Sequence, residues 1–404
     1  MYIIRSIAPD TFYVGASSRR LAKFENLFPI PRGVSYNSYV ILDEKTALLD
    51  TADAAVGLQF IENLTAALQN RPLDYLVINH MEPDHAVSIG QILLRWPNVQ
   101  LVCNAKTIPM LKAYFPNAAD QITAALLVKE GDTLCLGSHT LQFIMAPMVH
   151  WPEVMMTFDN ATGILFSADA FGTFGALSNL FADEVDFSRD WLNDARRYYA
   201  NIVGKYGTQV QNVLKKAAAL PIQILAPLHG PIWRKDLAWF LEKYDLWSRY
   251  IPEDKGVIIL YGSMYGNTEN AANVLANRLA ECGITTIVSY DISNTDNSVL
   301  IAECFRTSHI VLASPTYNGG LYLPMAELLD DMKALALQNR SFSIIENGSW
   351  APVAAKLMTE KISQLKNCTI LEPMLTLRGT LGSAQEEILY AMADAIANTL
   401  KETI

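Results

Sequence analysis

The segment INHMEPDHAVSIG, Ile78 to Gly90, sets two histidines, a glutamate and an aspartate within six positions, in a chain with only six histidines. Imidazole nitrogens and carboxylate oxygens are the groups that hold divalent metal ions. Pro83 disfavours a helical conformation for Glu82, so the segment is expected to be extended or turned. In an extended run His80, Glu82 and Asp84 would point to one side. Taken alone, the segment reads equally well as a polar turn capping the apolar run Leu76-Val77-Ile78.

Partners for it recur along the chain. LQFIMA leads into Pro147-Met148-Val149-His150, GILFSA into Asp169, and IQILA into Pro227-Leu228-His229. Each puts a metal-competent side chain just beyond a strand-like run, where sites in layered sheet proteins assemble. His80, His85, His150 and His229 share this context; His139 and His309 do not. One buried histidine is more often a hydrogen-bonded core residue than a ligand, so the argument rests on the set. Three or four imidazoles with Glu82, Asp84 and Asp169, and no thiolate, suit two adjacent divalent ions sharing one carboxylate. Such a shell fits iron or manganese better than structural zinc. Iron would serve redox work and zinc hydrolysis, and these residues alone do not separate the two. The five cysteines are scattered without a CxxC pair, which argues against a cysteine-held metal or a disulfide framework.

A second constellation follows the run GVIILY. Gly262-Ser263-Met264-Tyr265-Gly266-Asn267-Thr268 leads directly into a helical pattern. It has neither the GK[ST] ending of a triphosphate loop nor the GxGxxG of a dinucleotide site. Hydroxyls, an amide and backbone N–H groups at a helix N-terminus suit one terminal phosphate held by neutral groups. Two more strand-like runs end in polar loops: Ser314-Pro315-Thr316-Tyr317-Asn318-Gly319 and Asn347-Gly348-Ser349-Trp350. Together the three loops offer a phosphate cradle and aromatic faces for a flat ring, with Tyr317 and Trp350 as stacking candidates.

Those loops require elements to carry them. A seam falls near Ser248 to Gly256, after an expected helix from Lys235 to Trp247. It divides the chain into residues 1–250 and 251–404. Beyond it, GVIILY, TTIVSY, HIVLAS, SFSIIE and CTILEP alternate with helical stretches, Thr268 to Cys282 among them with Gly283 as its stop. That alternation predicts an α/β doubly wound parallel sheet. Before the seam, YIIRSI, TFYVGA, SYVILD and TALLDT lie too close together for crossover helices, and Gly57 to Asn70 reads as a helix. Mixed sheets packed on each other with helices outside are expected there.

At 404 residues and 51% hydrophobic content the chain can fill two or three cores. A net charge of -10 argues against nucleic-acid binding, which relies on clustered Lys and Arg. The N-terminus is a poor secretory signal and no apolar run has membrane-spanning length, so a cytoplasmic location is expected.

H-x-E-x-D-H, followed by His150, Asp169 and His229, resembles the metallo-β-lactamase fold, an αββα sandwich. Glu82, where the hydrolases of that superfamily usually carry histidine, resembles the flavodiiron proteins, as do GVSYNSYVI, HWPE, SADAFG and LHGPIW. S-x-Y-G-N-T resembles the FMN loop of flavodoxins, whose sheet order is 2-1-3-4-5. By this resemblance His80, Glu82 and His150 hold one iron, Asp84 and His229 the other, and Asp169 bridges them. His85 matches a family position that is not always a ligand, and Tyr198 one near the diiron pocket. The resemblance implies reduction of O2 to water, of NO to nitrous oxide, or both, with electrons passing through FMN. It also implies a head-to-tail homodimer or a dimer of dimers. With no CxxC…CxxC extension after Ile404, rubredoxin or a similar donor is expected as a separate protein. The rival readings are a metal-dependent hydrolase with a structural flavodoxin-like module, and a pure electron carrier.

Overall fold

The computed structural model describes residues 2–402. Its contacts form two units, Met1–Tyr199 with Thr208–Asp245, and Ala200–Gly207 with Leu246–Ile404.

The first unit is built on two sheets. One runs in the order Arg5–Ala8, Thr11–Tyr13, Tyr39–Leu42, Thr46–Leu49, Tyr75–Val77, Gln100–Cys103, Leu126–Leu127; it is antiparallel as far as Thr46–Leu49 and parallel beyond. The other joins Thr133–Cys135, Thr140–Met145, Met155–Asp159, Ile164–Phe166 and Ile224–Ala226, with only the last pair parallel. Alternate residues face inward because strand side chains alternate sides. Tyr39, Ile41, Ala47 and Leu49 thus pack in one core with Leu141, Phe143, Ile164 and Phe166. Helices complete an αββα sandwich. One of them, Gly57–Leu68, buries Phe60, Ile61, Leu64, Ala67 and Leu68, an i, i+1, i+4, i+7, i+8 stripe.

The expected strands exist but are shorter, and TFYVGA divides. Thr11–Tyr13 joins the large sheet, while Ala16–Ser18 pairs with Val34–Tyr36 in a separate ribbon. The expected helix near Lys235 to Trp247 runs from Leu237 to Ser248.

The second unit has the parallel order Ile287–Asp291, Asp254–Tyr261, Thr307–Tyr317, Ser341–Asn347, then a fifth strand in two pieces, Thr369–Ile370 and Leu375–Leu377. Numbered along the chain this is 2-1-3-4-5. Val257, Ile259, Val311, Ala313 and Ile345 are fully buried in its core, as expected of strands covered on both faces. Helix Asn267–Glu281 stops at Gly283, whose φ of +88° is the left-handed conformation glycine adopts most readily. CTILEP pairs only over Thr369–Ile370, and the strand resumes at Leu375.

Candidate functional site

Four strands of the sandwich end at one place: Tyr75–Val77, Thr140–Met145, Ile164–Phe166 and Ile224–Ala226 lead to His80, His150, Asp169 and His229. The loop holding His80 is fixed from behind. Buried Asp50 accepts hydrogen bonds from the backbone N–H of Asn79 (2.7 Å) and His80 (3.1 Å) and from the Asn79 amide (2.8 Å). Burial pushes the Asp50 carboxyl up to about 6.

Asp84 does not share a side with His80 and Glu82, as a fully extended run would require. Glu82 is extended, with ψ 140°, but Pro83 opens a helical turn over Pro83–Ala86, because its fixed φ suits the first helical position. Asp84 therefore leaves the side shared by His80 and Glu82 and joins His85 and His229.

Two donor groups result: His80, Glu82, His150 and Asp169, and Asp84, His85 and His229. Asp169 divides its oxygens between them. Its Oδ2 lies 3.1 Å from His80 Nε2 and 3.2 Å from His150 Nε2. Its Oδ1 lies 3.2 Å from His85 Nε2 and 3.6 Å from His229 Nε2. Glu82 Oε2 sits 3.2 and 3.0 Å from the first imidazole pair, and Asp84 Oδ2 3.3 Å from each of the second. The Nε2 atoms of His85 and His229 face each other at 3.0 Å.

This arrangement fits metal ions. Donors bonded at about 2.1 Å, at angles from about 90° to 109°, sit about 3.0–3.4 Å apart, the spacing found here. Both oxygens of Asp84 and of Asp169 are buried without a hydrogen-bond partner, which carboxylates rarely tolerate unless a cation satisfies them. The electrostatics agree. Burial alone would lower His80, but Asp169, Glu153 and Glu82 hold it well above its ordinary value. Burial likewise opposes His150, yet Asp169 and Glu82 raise it to about 9. Against the upward push of burial, His80 and His85 hold Asp169 well below the carboxylate range. The pocket therefore favours positive charge between its carboxylates and imidazoles.

A cavity of about 610 Å³ lined by Phe24, Glu25, Tyr36, Asp53, Glu82 and Asp84, among others, opens onto the donors. A larger one of about 770 Å³, between Arg5, Arg19, Leu58 and Leu177, contains none of them. The rings of Phe24, Tyr36 and Tyr198 stand 5.3, 5.5 and 5.5 Å from that of His229. The Tyr198 hydroxyl is fully buried and without a hydrogen-bond partner.

In the second unit the three polar loops converge on a cleft of about 190 Å³. Ser263, Met264, Tyr265, Asn267, Thr268, Pro315, Thr316, Asn318, Gly319, Asn347, Gly348, Ser349 and Trp350 line it, together with Gly379. Helix Asn267–Glu281 points its N-terminus there, so a phosphate meets free backbone N–H groups. Gly266 shapes the turn at φ +86°, donating its N–H to Ser263 Oγ (3.1 Å). The donors and the exposed Trp350 face fit FMN. Gly266 and Tyr317 are outside the lining; the Tyr317 ring stands edge-on to Tyr322 at 6.3 Å. Thr316 Oγ1 accepts from Val353 N (2.9 Å), and Asn347 brackets Gly379 with bonds of 2.9 Å in both directions.

Sequence reasoning missed Gly379, Asp50, Glu25 and Glu153. Glu25 is an exposed residue that lines the cavity opening onto the metal donors, and burial, then Glu82, push its carboxyl up to about 8. HWPE was a visible signal for Glu153; the others had none.

Residues 34–230 match the model of the ODP family beta lactamase and residues 259–389 that of flavodoxin. The chain is 32% identical over 395 residues to a nitric oxide reductase of Moorella thermoacetica, covering 97% of this chain and 98% of that one. It superposes on the rubredoxin oxygen:oxidoreductase of Desulfovibrio gigas with a TM-score of 0.91, 26% identity and 99% of each chain covered. The flavodiiron protein of Giardia intestinalis gives 0.90, 26% identity, and 100% of this chain and 98% of that one.

Proposed function

The chain belongs to the flavodiiron family, and from that premise we propose that it reduces dioxygen to water, nitric oxide to nitrous oxide, or both. Electrons reach the metal site through FMN from a separate donor protein. The observation that carries this reading is Asp169, whose two oxygens each face a different histidine pair within one buried cluster.

Residues 1–250 form the metal-binding domain and residues 251–404 the FMN domain. His80, Glu82 and His150 would hold one iron and Asp84, His229 and His85 the other, with Asp169 offering one oxygen to each group. His85 takes a ligand's place because its Nε2 is as close to Asp169 and Asp84 as the other imidazoles are. Two irons bound here supply single-electron transfer and Lewis-acid charge stabilisation, and FMN takes up electrons in pairs and releases them singly. The chain's own residues do the rest. His80, His85 and His229 are fully buried, which keeps bulk water from the reacting atoms. Burial first, and then Asp169 and Asp84, keep the Tyr198 phenol protonated, so it donates a hydrogen bond to a small molecule bound beside His229. The aromatic wall around His229 favours small, weakly polar substrates such as O2 and NO.

The partner readings follow the relatives. The Desulfovibrio gigas protein is named for rubredoxin, which supports rubredoxin or a similar small carrier as donor here. Family resemblance supports a head-to-tail homodimer, or a dimer of dimers, with one chain's FMN beside the other's irons. A cytoplasmic location belongs to the same proposal, and no helix among the described residues is long and apolar enough to cross a membrane.

The test is direct. Protein loaded with iron and FMN, pre-reduced without air, is mixed with O2 or NO while both gases and nitrous oxide are followed. Rapid consumption of at least one gas is expected. A loaded, reduced protein that consumes neither, yet cleaves thioester or phosphodiester substrates, would be a hydrolase.

A further inference from the structure

The four imidazoles of the cluster are not equally supported from behind. His80 donates its Nδ1–H to Glu153 Oε1 at 2.9 Å, and Glu153 is only 1% exposed. The same oxygen accepts the backbone N–H of Met81 at 2.9 Å, and Asn104 donates to the Glu153 carbonyl. The other carboxylate oxygen, Oε2, is buried with no hydrogen-bond partner. By contrast His229 donates its Nδ1–H to a neutral acceptor, the Ser35 carbonyl, at 2.7 Å. His85 Nδ1 is buried without a partner. Of the four cluster imidazoles, His80 alone has a carboxylate at its Nδ1 among the hydrogen bonds of the described residues; outside the cluster His139 Nδ1 meets Asp159 Oδ2 in the same way, at 2.9 Å.

We propose that Glu153 is a positioning residue that makes the two metal positions electronically unequal. A carboxylate at Nδ1–H fixes the tautomer in which Nε2 faces the ion, and by drawing on that proton it makes Nε2 a stronger electron donor. A backbone carbonyl fixes the tautomer but carries no charge. The ion held by His80, Glu82 and His150 is therefore bound more tightly, and its oxidised state is favoured over that of the ion beside His85 and His229. This rests on the reading that the cluster holds two metal ions, but not on the gas it reduces.

The chain sequence also explains how Glu153 reaches this place. It lies three residues after His150 in HWPE, so the loop that delivers one ligand also delivers the support of another. The Asn104 amide ties that loop to the end of the neighbouring strand Gln100–Cys103. The carboxylate itself is held against its desolvation by the His80 and Met81 N–H groups.

The experiment compares wild type with Glu153→Gln, which keeps the shape and the acceptor oxygen and removes the charge. Metal per chain is counted first in wild type; fewer than two ions there would refute the two-ion reading itself and, with it, any inequality between positions. In the variant, chelator competition should show one ion bound about 10- to 100-fold more weakly and the other unchanged. A redox titration followed by the electron paramagnetic resonance of the mixed-valent pair should show one midpoint potential moving up towards the other. Two ions with unchanged affinities and unchanged potentials would overturn the proposal. A variant that does not fold leaves the zinc-loaded wild type, in which proton NMR should show one imidazole N–H far more deshielded than the rest. A spectrum with all imidazole N–H protons alike would also overturn it.

Discussion

Asp169 has almost no freedom in this molecule: it is 1% exposed, and each oxygen is aimed at its own pair of imidazoles. Replacing it with asparagine keeps the size but puts an N–H₂ towards one pair and removes the shared negative charge. Loss of one partner from a buried charge cluster amounts to about 3–5 kcal/mol, so Asp169→Asn should weaken ion binding more than about 100-fold. Metal analysis after dialysis would then find fewer than two ions per chain, whereas two retained ions would show that Asp169 does not bridge. The ligand types could be read from the sequence because each stood just past an apolar run. Their grouping came only from the family resemblance, which sets Asp84 with His229; an extended run would put Asp84 beside His80, and the helical turn begun by Pro83 rotates it towards His229. The same turn decides the position of His85. Asp50 acts through buried hydrogen bonds to a distant segment, which spacing along the chain does not encode, whereas HWPE marks Glu153 but not its partner His80.

At the scale of elements, the flavin cleft depends on how loops are tied to one another. Asn347 ends the strand Ser341–Asn347 and exchanges two 2.9 Å hydrogen bonds with Gly379, beyond the split fifth strand. Asn347→Ala removes both, about 0.5–1.5 kcal/mol each, and frees the Gly379 loop. FMN should then bind about 10-fold more weakly by fluorescence titration; an unchanged Kd would mean that the loop is held by other contacts. Three of the loops were legible because a continuous apolar strand precedes each. Gly379 was not, because its strand is reduced to the three residues Leu375–Leu377 and carries too little pattern. Tyr317 shows the complementary limit. The sequence marks an aromatic residue in the right loop, and the structure sets its ring edge-on to Tyr322, between the lining residues Thr316 and Asn318.

At the scale of the whole chain, the parallel sheet of the second half was plain because strands buried on both faces are apolar throughout. The sandwich was less so, since its short strands are interrupted by loops and a side ribbon. A histidine outside the metal cluster reports on the parallel sheet. Burial drives His309, held between Ser341 Oγ and Ser343 Oγ, from 6.5 down to about 3. Below about 6.5 the unfolded chain takes a proton that the folded chain refuses until about pH 3. This stability is therefore complete above 6.5 and declines as pH falls towards 3, by up to about 1.4 kcal/mol per pH unit. Denaturant midpoints read by FMN release should fall with acid more steeply in wild type than in His309→Gln. Parallel profiles would contradict the assignment.

The central claim is that one chain joins a carboxylate-bridged iron pair to a flavin. Protein purified without air should contain two irons and one FMN per chain by elemental analysis and absorbance. Two zinc ions per chain with no flavin would contradict it.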